Sequence, residues 1–122
     1  MAELDGCRIL VVEDEYMLAQ DLQSELEGLG AVVIGPEPSL SRALDRLADE
    51  PRIDVAVLDV NLGGESAFPV ADALIARQVP FLFSSGYEDG VTRARYPQVL
   101  KCDKPFNMRS LLKALQTLTA TR

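Results

Sequence analysis

Carboxylate, hydroxyl and ammonium side chains follow four of the five short apolar runs of this chain. The remaining run, Ala31–Ile34, is followed only by Gly35 and Pro36. If the runs are parallel strands, their carboxyl ends meet at one edge of a sheet, and the polar side chains converge there. These side chains are Glu13 and Asp14 after Arg8–Val12, Asp59 after Val55–Leu58, Ser84 and Ser85 after Phe81–Phe83, and Lys101, Asp103 and Lys104 around Val99–Cys102.

The acidic members of this set predict a divalent-cation site. Carboxylates held close together repel one another, and each is driven towards protonation unless a cation compensates the charge. Mg²⁺ prefers oxygen ligands and typically uses one or two carboxylates together with phosphate oxygens. A carboxylate that faces such an ion and an ammonium group is suited to accept a phosphoryl group, while a hydroxyl binds one of its oxygens. Glu13, Asp14, Asp59, Ser85 and Lys104 supply these parts.

The composition argues against several other functions. The 122 residues include no histidine, which removes the commonest general base and every Ser–His or Cys–His nucleophile pair. Nineteen acidic and twelve basic residues give a net charge of −7, so neither nucleic acid nor a membrane is an expected partner. No apolar run approaches the ~18 residues of a membrane helix, and the N-terminus lacks the basic region of a signal peptide. We expect one cytoplasmic domain over residues 1–122.

The elements that must position these residues alternate along the whole chain. Val55–Leu58 is apolar at every position, which is typical of a parallel strand covered on both faces. Helical stripes separate the apolar runs, so the pattern predicts an α/β protein with a doubly wound five-stranded parallel sheet. We expect the flavodoxin-like (βα)5 arrangement with strand order 2-1-3-4-5. In that order the second strand lies at an edge, and the four strands with polar ends are consecutive neighbours.

The helical segments differ in the strength of their signals. Ser39 and Asn107 are predicted N-caps of the second and last helices. The segment Glu88–Tyr96 gives a weak helical signal, because Gly90 and the β-branched residues after it interrupt the apolar stripe. We therefore expect a short, weakly held helix there.

Three motifs, in this order and at these spacings, resemble the receiver domain of two-component response regulators. Ile9–Glu15 resembles the opening strand and acidic pair of that family. Val57–Leu62 resembles its phosphoacceptor strand. Lys104-Pro105-Phe106 resembles its Lys-Pro-Phe turn, in which the Lys-Pro bond is usually cis. The resemblance covers nearly the whole chain.

The resemblance implies a role for each site residue. Asp59 would take a phosphoryl group from the phosphohistidine of a histidine kinase or histidine phosphotransferase. Asp14, Asp59 and the main-chain carbonyl of Asn61 would ligate Mg²⁺, with Glu13 acting through water. Lys104 would bind the phosphoryl oxygens, and Ser85 would be the hydroxyl switch residue. The domain would then signal to a downstream effector protein or output domain, without being an enzyme beyond its own phosphorylation and dephosphorylation.

Two positions depart from the commoner family pattern. Ser85 stands where threonine is more usual, and Lys101 stands where many receivers carry a switching aromatic residue. The stretch Pro80–Tyr87 is similar to a receiver subgroup with a Phe-Ala-Thr-Gly motif followed by an aromatic residue. We therefore expect phosphorylation to draw in Ser85 and to order or shift residues 86–97, rather than to rotate an aromatic side chain on the last strand.

Two other functions are compatible with a strand-end aspartate. A Mg²⁺-dependent phosphatase of the haloacid-dehalogenase type also uses one, but its Asp-x-Asp motif is incomplete in Asp59-Val60-Asn61. A docking module with the receiver fold but no phosphorylation is the other alternative. Nucleotide binding is disfavoured, because neither common glycine-rich phosphate motif is present.

Overall fold

Five helices and seven strands make up the part of the chain that the computed structural model describes, which is residues 3–85, 90–104 and 106–120. The strands are β1 (Arg8–Val12), β2 (Val32–Glu37), β3 (Val55–Asp59), β4 (Asn61–Leu62), β5 (Glu65–Ser66), β6 (Phe81–Ser85) and β7 (Leu100–Asp103). The helices are α1 (Tyr16–Gly28), α2 (Leu40–Asp49), α3 (Phe68–Ala76), α4 (Gly90–Arg95) and α5 (Met108–Ala120). None of these helices combines the length and the apolar character that crossing a membrane requires.

The main sheet is parallel, and its strands lie in the order β2-β1-β3-β6-β7. Counted among the five strands of this sheet alone, that is the order 2-1-3-4-5, so the predicted α/β topology is confirmed. The central strands β1 and β3 are buried almost throughout, as their continuous apolar sequences predict. In β3 and β6, Asp59 pairs in register with Ser84, which brings the polar strand ends to one edge.

A hydrophobic layer covers each face of the sheet because alternate strand residues point to opposite sides. On one face, the buried strand residues pack with α2 and α3, and they include Leu10, Leu58, Phe83, Leu47 and Leu74. On the other face they pack with α1 and α5, and they include Ile9, Val57, Leu82, Leu26 and Leu111. The two layers fix the strands, and hence the edge at which the polar residues lie.

Three segments differ from the elements predicted by the sequence. β2 continues through Gly35 and Pro36 to Glu37, with an irregularity in its pairing to β1. β6 includes both Ser84 and Ser85, because its ladder with β7 extends to the pair Ser85–Asp103. Residues 61–66, expected to be a loop at their start, form the small antiparallel pair β4–β5. Apolar runs mark strand interiors, and ladder hydrogen bonds continue beyond them.

Both predicted N-caps are confirmed. The Ser39 hydroxyl accepts a hydrogen bond from Arg42 N at 3.3 Å, and Asn107 Oδ1 accepts one from Ser110 N at 3.2 Å. The described part of the fourth helix is short, as predicted, with six residues from Gly90 to Arg95. At its C-terminal end, Tyr96 is buried against other aromatic rings, and the weak hold expected for this helix stays a prediction.

Candidate functional site

Three carboxylates meet at the carboxyl edge of the sheet. Glu13 and Asp14 follow β1, and Asp59 is the last residue of the neighbouring strand β3. One carboxylate oxygen from each lies within 4.8 Å of the others. Glu13 and Asp59 are buried, with only 2% and 6% of their surfaces exposed, whereas Asp14 is exposed. The sequence-predicted acidic residues therefore form one cluster, open to solvent on the Asp14 side.

Lys104 joins this cluster from the end of β7. Its Nζ donates a hydrogen bond to Asp59 Oδ2 at 2.9 Å and another to Glu13 Oε2 at 3.0 Å. Glu13 Oε1 is also close, at 2.8 Å from the same nitrogen. The backbone holds this lysine in place, because Lys104 N donates to the main-chain oxygen of Ser85 at 2.9 Å. One ammonium group thus partly compensates two buried negative charges.

The small hairpin after β3 contacts two of the three carboxylates, Asp14 and Asp59. Asp14 Oδ2 accepts a hydrogen bond from Gly63 N at 3.0 Å, and Asp59 Oδ1 accepts one from Asn61 N at 3.2 Å. The Asn61 side chain closes the turn by accepting from Gly64 N at 2.8 Å. Asn61 therefore contacts the cluster through its main-chain N–H, and the ligand role of its carbonyl stays a prediction.

The surroundings of Asp59 and Lys104 shift the pKa of both groups. Burial is the main reason that the pKa of Asp59 rises to about 7, and the neighbouring carboxylates Glu13 and Asp14 add to the rise. The hydrogen bond from Lys104 acts in the opposite direction. Burial by itself lowers the pKa of Lys104, but its bonds to Glu13 and Asp59 outweigh that effect and raise the pKa overall. A further cation at the cluster would favour the ionised form of Asp59.

Ser85 lies at the end of β6, beside the strand that carries Asp59, and is buried. Its main-chain oxygen is the acceptor for Lys104 N, so the candidate hydroxyl and the candidate lysine are linked through the backbone. The adjacent Ser84 Oγ is buried and has no hydrogen-bond partner within the described ranges. The role predicted for Ser85 remains a prediction, and Tyr87 and Pro105, named above in the motifs, lie outside the described residues.

Sequence reasoning missed two features around this edge. Gly63 fixes Asp14, and the only signal for it is the Gly63-Gly64 pair that follows the strand-end aspartate. Lys101, listed above both among the strand-end polar residues and as a departure from the receiver pattern, lies within β7 and pairs in register with Phe83. Phe83 belongs to an aromatic cluster with Phe68, Phe81 and Tyr96. No local sequence pattern predicts this cluster, because its members come from separate segments of the chain.

The donor set fits a hard divalent cation. All three acidic groups offer carboxylate oxygens, and their mutual distances within 4.8 Å bring them close enough to share one ion. Among the ion pairs of the described residues, one ammonium group, that of Lys104, compensates the negative charge of these carboxylates. The exposure of Asp14 leaves an approach from solvent. The residues present are therefore suited to Mg²⁺.

The fold and the acidic edge define the chain as a flavodoxin-like α/β protein with its polar cluster at the C-terminal ends of the strands. Comparison with solved structures narrows this class. The solution structure of SdrG from Sphingomonas melonis Fr1 is 41% identical, with a TM-score of 0.81, and the match covers 97% of this chain and 98% of that one. The non-phosphorylated HemR receiver domain from Leptospira biflexa is 27% identical, with a TM-score of 0.81, and the match covers 93% and 94%. The chain belongs to the receiver-domain family of response regulators.

Curated relatives agree with this family. The regulator PhyR of Methylorubrum extorquens is 28% identical over 110 residues, which covers 85% of this chain and 41% of PhyR. The chain spans about half the length, or less, of the curated relatives that it matches. No family model matches the chain. The resemblance to two-component signalling proteins inferred from the sequence is confirmed at the level of the family.

Proposed function

We propose that this receiver domain accepts a phosphoryl group on Asp59. The observation that carries the proposal is the Lys104 ammonium, which lies 2.9 Å from Asp59 Oδ2 inside a cluster of three carboxylates. A purely structural role for the buried Asp59 would not require two further carboxylates beside it. A phosphoacceptor does require cations nearby, because they neutralise the charge of the phosphoryl group. A cluster of carboxylates binds such cations.

The phosphoryl donor in the cell would be a phosphohistidine on a histidine kinase or a histidine phosphotransferase. An ionised Asp59 oxygen attacks phosphorus, the new P–O bond forms, the P–N bond breaks, and the imidazole leaves and takes up a proton from solvent. These 122 residues contain no histidine, so the donor histidine would lie outside this domain. The downstream readout would be an effector protein or an output domain.

The side chains of the cluster have distinct parts in this reaction. Glu13, Asp14 and Asp59, with the Asn61 carbonyl, would hold Mg²⁺, and Glu13 would act through water. When bound, the ion would neutralise charge on the phosphoryl oxygens. Lys104 stays hydrogen-bonded to Asp59 and is poised to bind a phosphoryl oxygen once it is transferred. Ser85, buried at the end of β6, is the candidate hydroxyl for another of those oxygens.

The test is the intact mass of the chain after incubation with acetyl phosphate and Mg²⁺. We expect one added phosphoryl group per wild-type chain and none in Asp59→Asn, with Asp21→Asn, an exposed change on α1, as the matched control. Labelling of Asp59→Asn at the wild-type level would refute the assignment of Asp59. Sustained release of phosphate from small phosphate esters would instead indicate the phosphatase alternative, and failure to bind Mg²⁺ or to label would indicate the docking module.

A second probe avoids the lability of the aspartyl phosphate. SdrG has a BeF3-activated conformation in solution, in a structure that is 42% identical to this chain and covers 92% of it, with a TM-score of 0.76. We propose that beryllofluoride with Mg²⁺ binds Asp59 of this chain in the same way. Binding should disappear in Asp59→Asn and persist in Asp21→Asn.

A further inference from the structure

A second polar cluster joins α3 to the end of α4, on the side of the sheet opposite α1 and α5. The Tyr96 hydroxyl donates to Asp72 Oδ1 at 2.6 Å, and Arg95 Nη2 donates to Asp72 Oδ2 at 2.9 Å. Arg95, at the end of α4, and Tyr96, directly after it, therefore donate to the two oxygens of the Asp72 carboxylate. Burial and the Asp72 carboxylate raise the pKa of Tyr96 to about 12, so the phenol keeps its proton and remains a donor.

Aromatic packing surrounds these polar contacts. The Tyr96 ring meets Phe68 edge-on at a centroid distance of 5.1 Å, and it meets Phe83 at 5.4 Å. The Arg95 guanidinium lies over the Phe68 ring at 5.1 Å. Edge-to-face pairs and cation–π contacts each add directional stabilisation beyond simple burial. Tyr96 is only 7% exposed, whereas the side chain of Asp72, which accepts its hydroxyl bond, is half-exposed.

The helix that ends at this cluster cannot be stable alone. The described helix α4 has six residues, and isolated helices shorter than about 12–15 residues are marginal in water. Its position therefore depends on tertiary contacts. At its C-terminal end, Arg95 and Tyr96 make these tertiary contacts. They are the ion pair and the hydroxyl bond to Asp72 and the ring contact with Phe68.

The same cluster connects to the candidate phosphorylation site through β6. Phe83 and Ser85 are two positions apart on this strand, so they face the same side of the sheet. Phe83 contacts the Tyr96 ring, and the Ser85 main-chain oxygen accepts from Lys104 N. The end of β6 therefore contacts both the Tyr96 ring, through Phe83, and the backbone of the lysine that binds Asp59, through Ser85.

We propose that Asp72, Arg95 and Tyr96 form a latch that holds the end of α4 on α3 in the unphosphorylated domain and opens when Asp59 is phosphorylated. The proposal rests on the function proposed above. Closing the latch and phosphorylating Asp59 then favour different conformations. By linkage, a change that weakens the latch strengthens binding at Asp59, by up to the same factor while the latched conformation is the dominant one. This reciprocity makes the latch measurable at a site that its residues do not touch.

The experiment measures the apparent affinity for beryllofluoride in the presence of Mg²⁺. Tyr96→Phe removes only the hydroxyl and keeps the aromatic packing, and Asp72→Asn keeps the shape of the acceptor but removes its charge. Because a hydrogen bond of this kind biases an equilibrium modestly, we expect about threefold to tenfold tighter binding in each variant. Amide exchange in residues 91–96 of the ligand-free variants should also be faster than in the wild type.

Arg52→Gln is the matched control, because it removes an exposed ion pair to Asp54 at 3.0 Å, away from both clusters. It should leave the beryllofluoride affinity unchanged. Wild-type binding with unchanged affinity in Tyr96→Phe and Asp72→Asn would overturn the latch and leave the proposed function intact. Absence of beryllofluoride binding in the wild type would overturn the proposed function and the latch with it.

Discussion

The Lys104 ammonium lies 2.9 Å from Asp59 Oδ2, at the junction of two strands that are not hydrogen-bonded to each other. The strand between them, β6, places both residues, because Asp59 pairs with Ser84 and the Ser85 oxygen accepts from Lys104 N. The backbone ladder therefore sets the spacing of this ion pair.

Lys104→Ala should destabilise the metal-free domain at pH 7. The substitution leaves Glu13 buried and next to Asp59 without the ammonium that contacts both. Removing one partner of a buried pair costs roughly 3 kcal/mol, because a charge remains buried without compensation. Urea unfolding with a chelator present measures the loss. Lys113→Ala, at an exposed position on α5, should change the free energy of unfolding little.

The same loss should shrink at lower pH. The pKa of Asp59 is about 7, and its protonation removes one of the charges that Lys104 compensates, so the difference between Lys104→Ala and the wild type should decrease from pH 7 to pH 4. A difference that stays constant over this range would show that lost packing, and not lost charge compensation, dominates the effect.

The metal-free wild type should lose stability as the pH rises from about 4 to 7 through the contribution of Asp59. Its pKa is about 7 in the folded protein and 3.8 in the unfolded reference. The folded state therefore holds a proton that the unfolded chain has released, and the free energy of unfolding falls with rising pH in this window. Asp59→Asn lacks this group, so the stability gap between it and the wild type should widen towards pH 7.

Chemical denaturation at half-unit pH intervals, with a chelator, provides the two curves. Carboxylates away from the cluster contribute equally in both proteins and cancel in the comparison. Parallel curves between pH 4 and 7 would contradict the raised pKa of Asp59.

Mg²⁺ should stabilise the wild-type domain against unfolding. The ion would bind the folded carboxylate cluster and not the unfolded chain, so at 100 times its dissociation constant the gain is about 2.7 kcal/mol. Asp14→Asn should abolish this gain, and it should leave or raise the metal-free stability because it removes a repelling charge. Thermal melting across a Mg²⁺ titration measures both effects. An Asp21→Asn variant that also lost the gain would argue against a specific site.

The sequence predicts the sheet and the meeting of the strand ends because both follow from local periodicity and from the rules of parallel sheets. Glu13, Asp14, Asp59 and Lys104 are adjacent for that reason. The hairpin β4–β5 was not predicted, since strands of two residues leave no periodic signal. The bond between Tyr96 and Asp72 was not predicted either, because it joins residues 24 positions apart on elements whose packing only the fold determines.

Gly35→Ala should destabilise the domain far more than Gly6→Ala. Both glycines have positive φ, at +98° and +73°, so alanine is strained at either position by about 1–2 kcal/mol. At Gly35 a Cβ would also lie 2.8 Å from Glu37 N and 3.0 Å from Val11 O, whereas nothing lies within 4 Å at Gly6. Backbone atoms cannot turn aside as a flexible side chain does, so β2 must shift, and the bond from Glu13 N to Glu37 O weakens. Urea unfolding should give a loss at Gly35 larger by roughly 1–3 kcal/mol, together with weaker Mg²⁺ binding, and equal losses at the two positions would rule out the steric explanation.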